Sequence, residues 1–140
     1  MPFMQWNDEL STGIAEFDEQ HKVLIKHINK LYDAREEGTA DRVLLEVLAG
    51  VVNYTVYHFF AEEHLFELLD YPDAARHKTE HVAMTAKALR FFDKVENGDC
   101  SVIDDVLGFL KDWLANHIMV SDKQYSLFFR EKGLRAPGAQ

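Results

Sequence analysis

The sequence predicts an all-α fold, an up-down-up-down four-helix bundle with an N-terminal arm and a short C-terminal helix. Three observations carry that expectation. Apolar residues recur at steps of three and four along four long segments, the period of helices that bury one stripe. The connections are short and hold helix breakers: Glu36-Glu37-Gly38-Thr39, Tyr71-Pro72-Asp73 and Asn97-Gly98-Asp99. Histidines and acids also sit within the apolar stripes at helical spacing, which requires an interior where they meet.

The 140 residues suit one domain, 1–140, with a frayed tail from about residue 133. At 47% hydrophobic and 28% charged residues the composition is globular. The single cysteine, Cys100, rules out an intrachain disulfide and fits a reducing compartment. The net charge of -9 argues against nucleic acid or an acidic membrane surface as a partner. The opening MPFMQWNDEL has no basic start or long apolar run, and no uninterrupted apolar segment approaches the roughly 20 residues of a membrane span. A cytoplasmic protein is expected.

Taken in order, the first dozen residues form an extended arm whose Trp6 and Leu10 cover one end of the bundle, with Ser11 or Thr12 capping a short turn. The first helix begins near Phe17 or Asp18 and presents Phe17, His21, Leu24, Ile28 and Leu31. The second starts near Ala40 or Asp41 and presents Leu44, Leu48, Val51, Thr55, His58, Glu62, Leu65 and Leu69. From about Asp73 the third presents Ala74, His77, His81, Met84, Ala88, Phe91 and Val95. The fourth follows a Ser101 cap and presents Val102, Val106, Leu110, Trp113 and His117. The tail SDKQYSLFF suggests a short fifth helix capped by Ser121 or Asp122.

Five of the seven histidines thus fall in the buried stripes of four different helices. His58 with Glu62, and His77 with His81, are each four residues apart, about 400° of helix, so each pair shares one face. Alternating helix directions bring all of them, with His21 and His117, to the level of the 70–73 connection. His27 and His64 each lie six residues from a stripe histidine, about 240° round the helix, and are expected near the surface. One core histidine is ordinarily a satisfied polar residue. Five imidazoles and a carboxylate need about a dozen hydrogen-bond partners, and each left unpaired costs on the order of 1–3 kcal/mol. Metal coordination satisfies them together. Asp122 is different: five residues after His117 is about 140° round an α-helix. It reaches the site only if the fourth helix ends or tightens between Ile118 and Ser121; on spacing alone a helix cap is the favoured role.

The segments EQHKVL around His21, HFFAEE at 58–63, YPDAARHKTEH at 71–81 and WLANHIMVSD at 113–122 together resemble the bacterial hemerythrins, four-helix di-iron oxygen-binding domains. The resemblance spans nearly the whole chain. It implies that His77, His81 and His117 bind one iron, His21 and His58 the other, with Glu62 and Asp122 bridging. Two six-coordinate irons joined by an oxo or hydroxo bridge then keep one open position, on the metal with two histidines, for dioxygen. An apolar pocket is expected there, from Leu24, Ile25, Thr55 and Phe59 with Trp113, Leu114 and Ile118, and Leu114 is expected to gate it. The nitrogen and oxygen donor set excludes soft-metal sites but does not separate iron from manganese or zinc.

The implied function is reversible dioxygen binding, for carriage, storage, sensing or delivery to an oxygen-consuming enzyme. The alternative is a di-iron enzyme of oxidase or peroxidase type, or an iron-handling protein. Oxidase bundles place Glu-x-x-His pairs on two helices; here no histidine has a glutamate three residues before it, which favours a binding protein.

Overall fold

The computed structural model describes residues 4–131, apart from the side chain of Leu114. The expected tail from 133 and the Leu114 gate both lie outside the described residues. A 3-10 turn, Asp8–Leu10, precedes α1 (Ala15–Glu36), α2 (Ala40–Leu69) and α3 (Ala74–Glu96). A fourth rod begins with α4 (Ile103–Asp112), widens into a π-helical segment (Trp113–Asp122) and continues as α5 (Lys123–Glu131). The rods form the predicted bundle: α2 packs between α1 and α3, and the fourth rod lies against both of these.

The breakers act where expected. Gly38 adopts φ 77 after α1, where the Thr39 amide reaches back to the Ala34 carbonyl at 2.7 Å. Asp70 ends α2 in the left-handed region (φ 52), the Tyr71 amide bonds to the Phe66 carbonyl at 3.0 Å, and Pro72 prevents continuation. Two start signals differ from expectation. Ser101 does not cap the fourth helix; Val102 is the N-cap, and Ser101 donates instead to the Asp99 carboxylate. α1 starts at Ala15, two residues early, because Asp18 on its first turn accepts from the Thr12 amide (2.8 Å) and hydroxyl (2.9 Å) and from Ser11 (2.5 Å).

The arm also runs differently. It lies lengthwise along α1: Met4 exchanges two hydrogen bonds with Asn29, Trp6 sits under Lys22, and Leu10 is buried in the main core. Only residues 11–14 reach the end of the bundle. Trp6 and Leu10 are too far back along α1 to cover it.

Two apolar clusters result. The larger runs through the bundle body, from Leu31, Leu44 and Val95 to Phe59 and Trp113. The smaller, of Ile14, Phe17, Phe66, Tyr71, Tyr125 and Phe129, closes the end nearest the 70–73 connection. On α2 the buried stripe steps past Leu65 to Phe66, leaving Leu65 and Leu69 only partly covered. By length and composition alone α2 is apolar enough to cross a membrane, although polar residues such as Glu46, Asn53 and His58 interrupt its apolar run. Much of that apolarity faces inward, with Leu44, Leu48, Val51 and Tyr54 wholly buried.

Candidate metal centre

Between the two apolar clusters lies a polar layer. His21 (α1), His58 and Glu62 (α2), His77 and His81 (α3), and His117 and Asp122 (π segment) are all buried. The α-helical pairs meet as their four-residue spacing dictates. The His117–Asp122 pair meets for another reason. The fourth helix neither ends nor tightens at Ser121; its backbone stays helical through Lys123 (φ -65, ψ -32). It widens instead. A π-helix bonds each residue to the fifth along, so residues five apart lie one turn apart on one face. Asp122 therefore points inward below His117, and it caps nothing.

The carboxylates organise the layer. Glu62 Oε1 lies 3.0 Å from His81 Nε2 and 3.5 Å from His77 Nε2, while Oε2 lies 3.2 Å from His58 Nε2 and 3.8 Å from His21 Nε2. Asp122 Oδ1 lies 3.0 Å from His77 Nε2 and 3.2 Å from His117 Nε2; Oδ2 lies 3.1 Å from His21 Nε2. Each carboxylate thus turns one oxygen toward the three-histidine group and the other toward the two-histidine group. One atom from each of Glu62, His77, His81 and His117 fall within 4.8 Å of one another, as do atoms of His21, His58, Glu62 and Asp122. Both groups could hold a metal ion.

Several of these atoms are left without a hydrogen-bond partner: Nε2 of His77, His81 and His117, Oε1 of Glu62, and both Asp122 oxygens. Buried polar atoms of native proteins are nearly always paired. Orphans converging on two common points fit divalent cations, whose demand is for several lone pairs at one centre. Without a metal the layer is held by protons. Burial pulls the His21 pKa down, but Asp122 and Glu62 outweigh it and raise it to about 9. The same contest leaves His77 raised to about 10. His58 goes the other way, lowered chiefly by burial. Burial would raise both acids; facing imidazoles, His58 foremost for Glu62 and His117 for Asp122, hold them well below the carboxylate range.

A supporting shell fixes the ring orientations, and the sequence alone does not reveal it. His81 Nδ1 meets Glu63 Oε2 at 2.8 Å, and His58 Nδ1 meets Gln20 Oε1 at 2.5 Å. Glu80 stands 3.8 Å from His117 Nδ1 and accepts from Ser121 at 2.8 Å. The buried Tyr125 hydroxyl donates to Glu62 Oε2 at 2.6 Å. Only Glu63 and Glu80 had a local signal, as acids beside stripe residues; pairing across helices leaves no spacing to read.

Of the expected pocket residues, Leu24, Ile25, Phe59, Trp113 and Ile118 are buried in the main apolar cluster, and Thr55 is buried with its hydroxyl on the Val52 carbonyl. Phe59 lies flat on His81, centroids 3.7 Å apart, as well as 5.9 Å from His58, so it borders both groups. His64 is exposed and stacks on Phe60. His27 is half-buried, packed against Gly50, where a Cβ would come within 2.4 Å of its ring. The missing side chain of Gly50 makes the slot.

Residues 12–126 match the family model of the hemerythrin HHE cation binding domain. The chain belongs to the hemerythrin family. A bacteriohemerythrin of Pseudomonas aeruginosa is 35% identical over 125 residues, covering 89% of this chain and 80% of the relative. A bacteriohemerythrin of Methylococcus capsulatus is 33% identical over 126 residues, covering 89% and 95%. The crystal structure of a hemerythrin with a leucine-to-alanine substitution superposes with a TM-score of 0.82 at 32% identity, covering 91% and 97% of the two chains. The bundle, its family and its clustered imidazoles and carboxylates agree on a hemerythrin-type metal protein.

Proposed function

We propose that this hemerythrin-family chain binds dioxygen reversibly at a two-iron centre and is not an enzyme. In this reading His77, His81 and His117 hold one iron and His21 and His58 the other, with Glu62 and Asp122 spanning both. The observation that carries it is the split of each carboxylate, one oxygen toward each histidine group. Bound iron supplies the reversible redox chemistry toward dioxygen that no side chain here provides.

The chain's own residues do the rest. With one oxygen from each carboxylate, the three-histidine group would offer an iron five protein donors and the two-histidine group four, which would leave the second with more room for a ligand. Tyr125 holds Glu62 in its spanning position, and Gln20 fixes the His58 ring. Leu24, Ile25, Phe59, Trp113 and Ile118 carry no acid or base. They exclude water from the open side, which slows proton delivery and keeps binding reversible. Storage, or delivery to an oxygen-consuming partner in the cytoplasm, is the use such a site would serve.

The test is to load the protein with iron, reduce it without air, admit oxygen and then remove it, recording visible spectra throughout. A charge-transfer band that appears with oxygen and vanishes on its removal is expected. A lasting ferric spectrum with release of peroxide would overturn reversible binding.

A further inference from the structure

Tyr54 lies one turn before His58 on α2 and is wholly buried, yet its hydroxyl has no hydrogen-bond partner. Its ring stacks on the His58 imidazole, centroids 4.8 Å apart and planes 16° from parallel. Trp113 stands 6.0 Å away and Phe59 6.3 Å. Of these neighbours His58 is in the two-histidine group, and Phe59 borders both groups. A second buried tyrosine provides the contrast: Tyr125 spends its hydroxyl on Glu62. A phenol buried without a partner is unfavourable, and phenylalanine would fill the same space without that cost. At ordinary pH a tyrosine phenol is neutral and offers its O–H as a donor.

We propose that the Tyr54 hydroxyl donates a hydrogen bond to a small anionic ligand held on the open side of the His21–His58 site, making it a ligand-specificity residue in an otherwise apolar pocket. The proposal rests on the two-iron reading above. The orphaned donor is then reserved for the ligand, and a ligand gaining negative charge as it binds gains most from it.

The experiment compares iron-loaded wild type and Tyr54→Phe, with azide as the probe anion, and the metal-free forms by thermal melting. Two irons per chain in both proteins, azide bound about tenfold more weakly by the variant, and a variant that melts no lower than wild type when metal-free are expected. Equal azide affinity would overturn the role of the hydroxyl while leaving the two-iron centre standing. A lower metal-free melting temperature in the variant would also overturn it, because the hydroxyl would then have a structural partner. Wild type that loads two irons but takes up neither azide nor dioxygen would overturn the proposal and the dioxygen reading together; wild type that never holds two irons would sink both at their common root.

Discussion

The two histidine groups are built from the same ring and differ in what stands behind it. The three-histidine group is backed by acids: Glu63 meets His81, and Glu80 stands near His117. In the two-histidine group the residue behind His58 is the neutral Gln20, while aromatic rings pack on both groups, Tyr54 on His58 and Phe59 on His81. A carboxylate behind an imidazole makes it a stronger donor to a metal and anchors its ring; an amide orients the ring without adding charge. On the proposed two-iron reading, the difference would let one bundle hold one metal firmly and leave the other receptive. The acids sit on α2 and α3, where Glu63 immediately follows Glu62 and Glu80 immediately precedes His81, so they cost no separate element.

Removing what the groups share has the largest expected effect. Glu62→Ala deletes an oxygen from each group, and iron should fall from two per chain to at most one by metal analysis. Two irons retained would mean that Glu62 does not span the pair. A smaller effect should separate the groups. Glu63→Ala is expected to weaken iron binding by about 10- to 100-fold in a chelator competition, the typical range for a residue supporting a metal ligand, and Gln20→Ala by less. Equal losses would erase the distinction between acid-backed and amide-backed rings.

The smallest effect concerns the metal-free protein, where the groups look alike: His21 from one and His77 from the other are raised to about 9 and about 10. A raised folded-state pKa means that protonation stabilises the fold. That stability is whole below about 6.5, the ordinary histidine value, and is lost as pH climbs through 9 to 10. Melting temperatures of metal-free protein should therefore fall between pH 7 and 10. Those of the loaded protein should change less, since its imidazoles are already neutral. A metal-free melting temperature that holds or rises over that range would show that the carboxylates do not keep these rings charged.

His21, His58, Glu62, His77, His81 and His117 were legible because α-helical periodicity is local: spacing fixes the face, and alternating directions fix the level. Asp122 was not legible on those terms. Its α-helical angle points away from His117, and only the family resemblance brought it in as a bridge. A helix widened over ten residues gives up good local hydrogen-bond geometry. What holds it open is tertiary: in that register the Asp122 carboxylate is met by His21, His77 and His117 from three elements. The arm is a similar case, since nothing in its composition says that Met4 will pair with Asn29.

By itself, then, the sequence determined the four rods, their breakers and the level at which five imidazoles and Glu62 converge, because each follows from the pitch of one helix. Only the tertiary structure decided the π register of Trp113–Asp122, the acids behind one histidine group, and the orphaned Tyr54 hydroxyl. All three depend on what a neighbouring helix places opposite, and a single helix's periodicity carries no record of that.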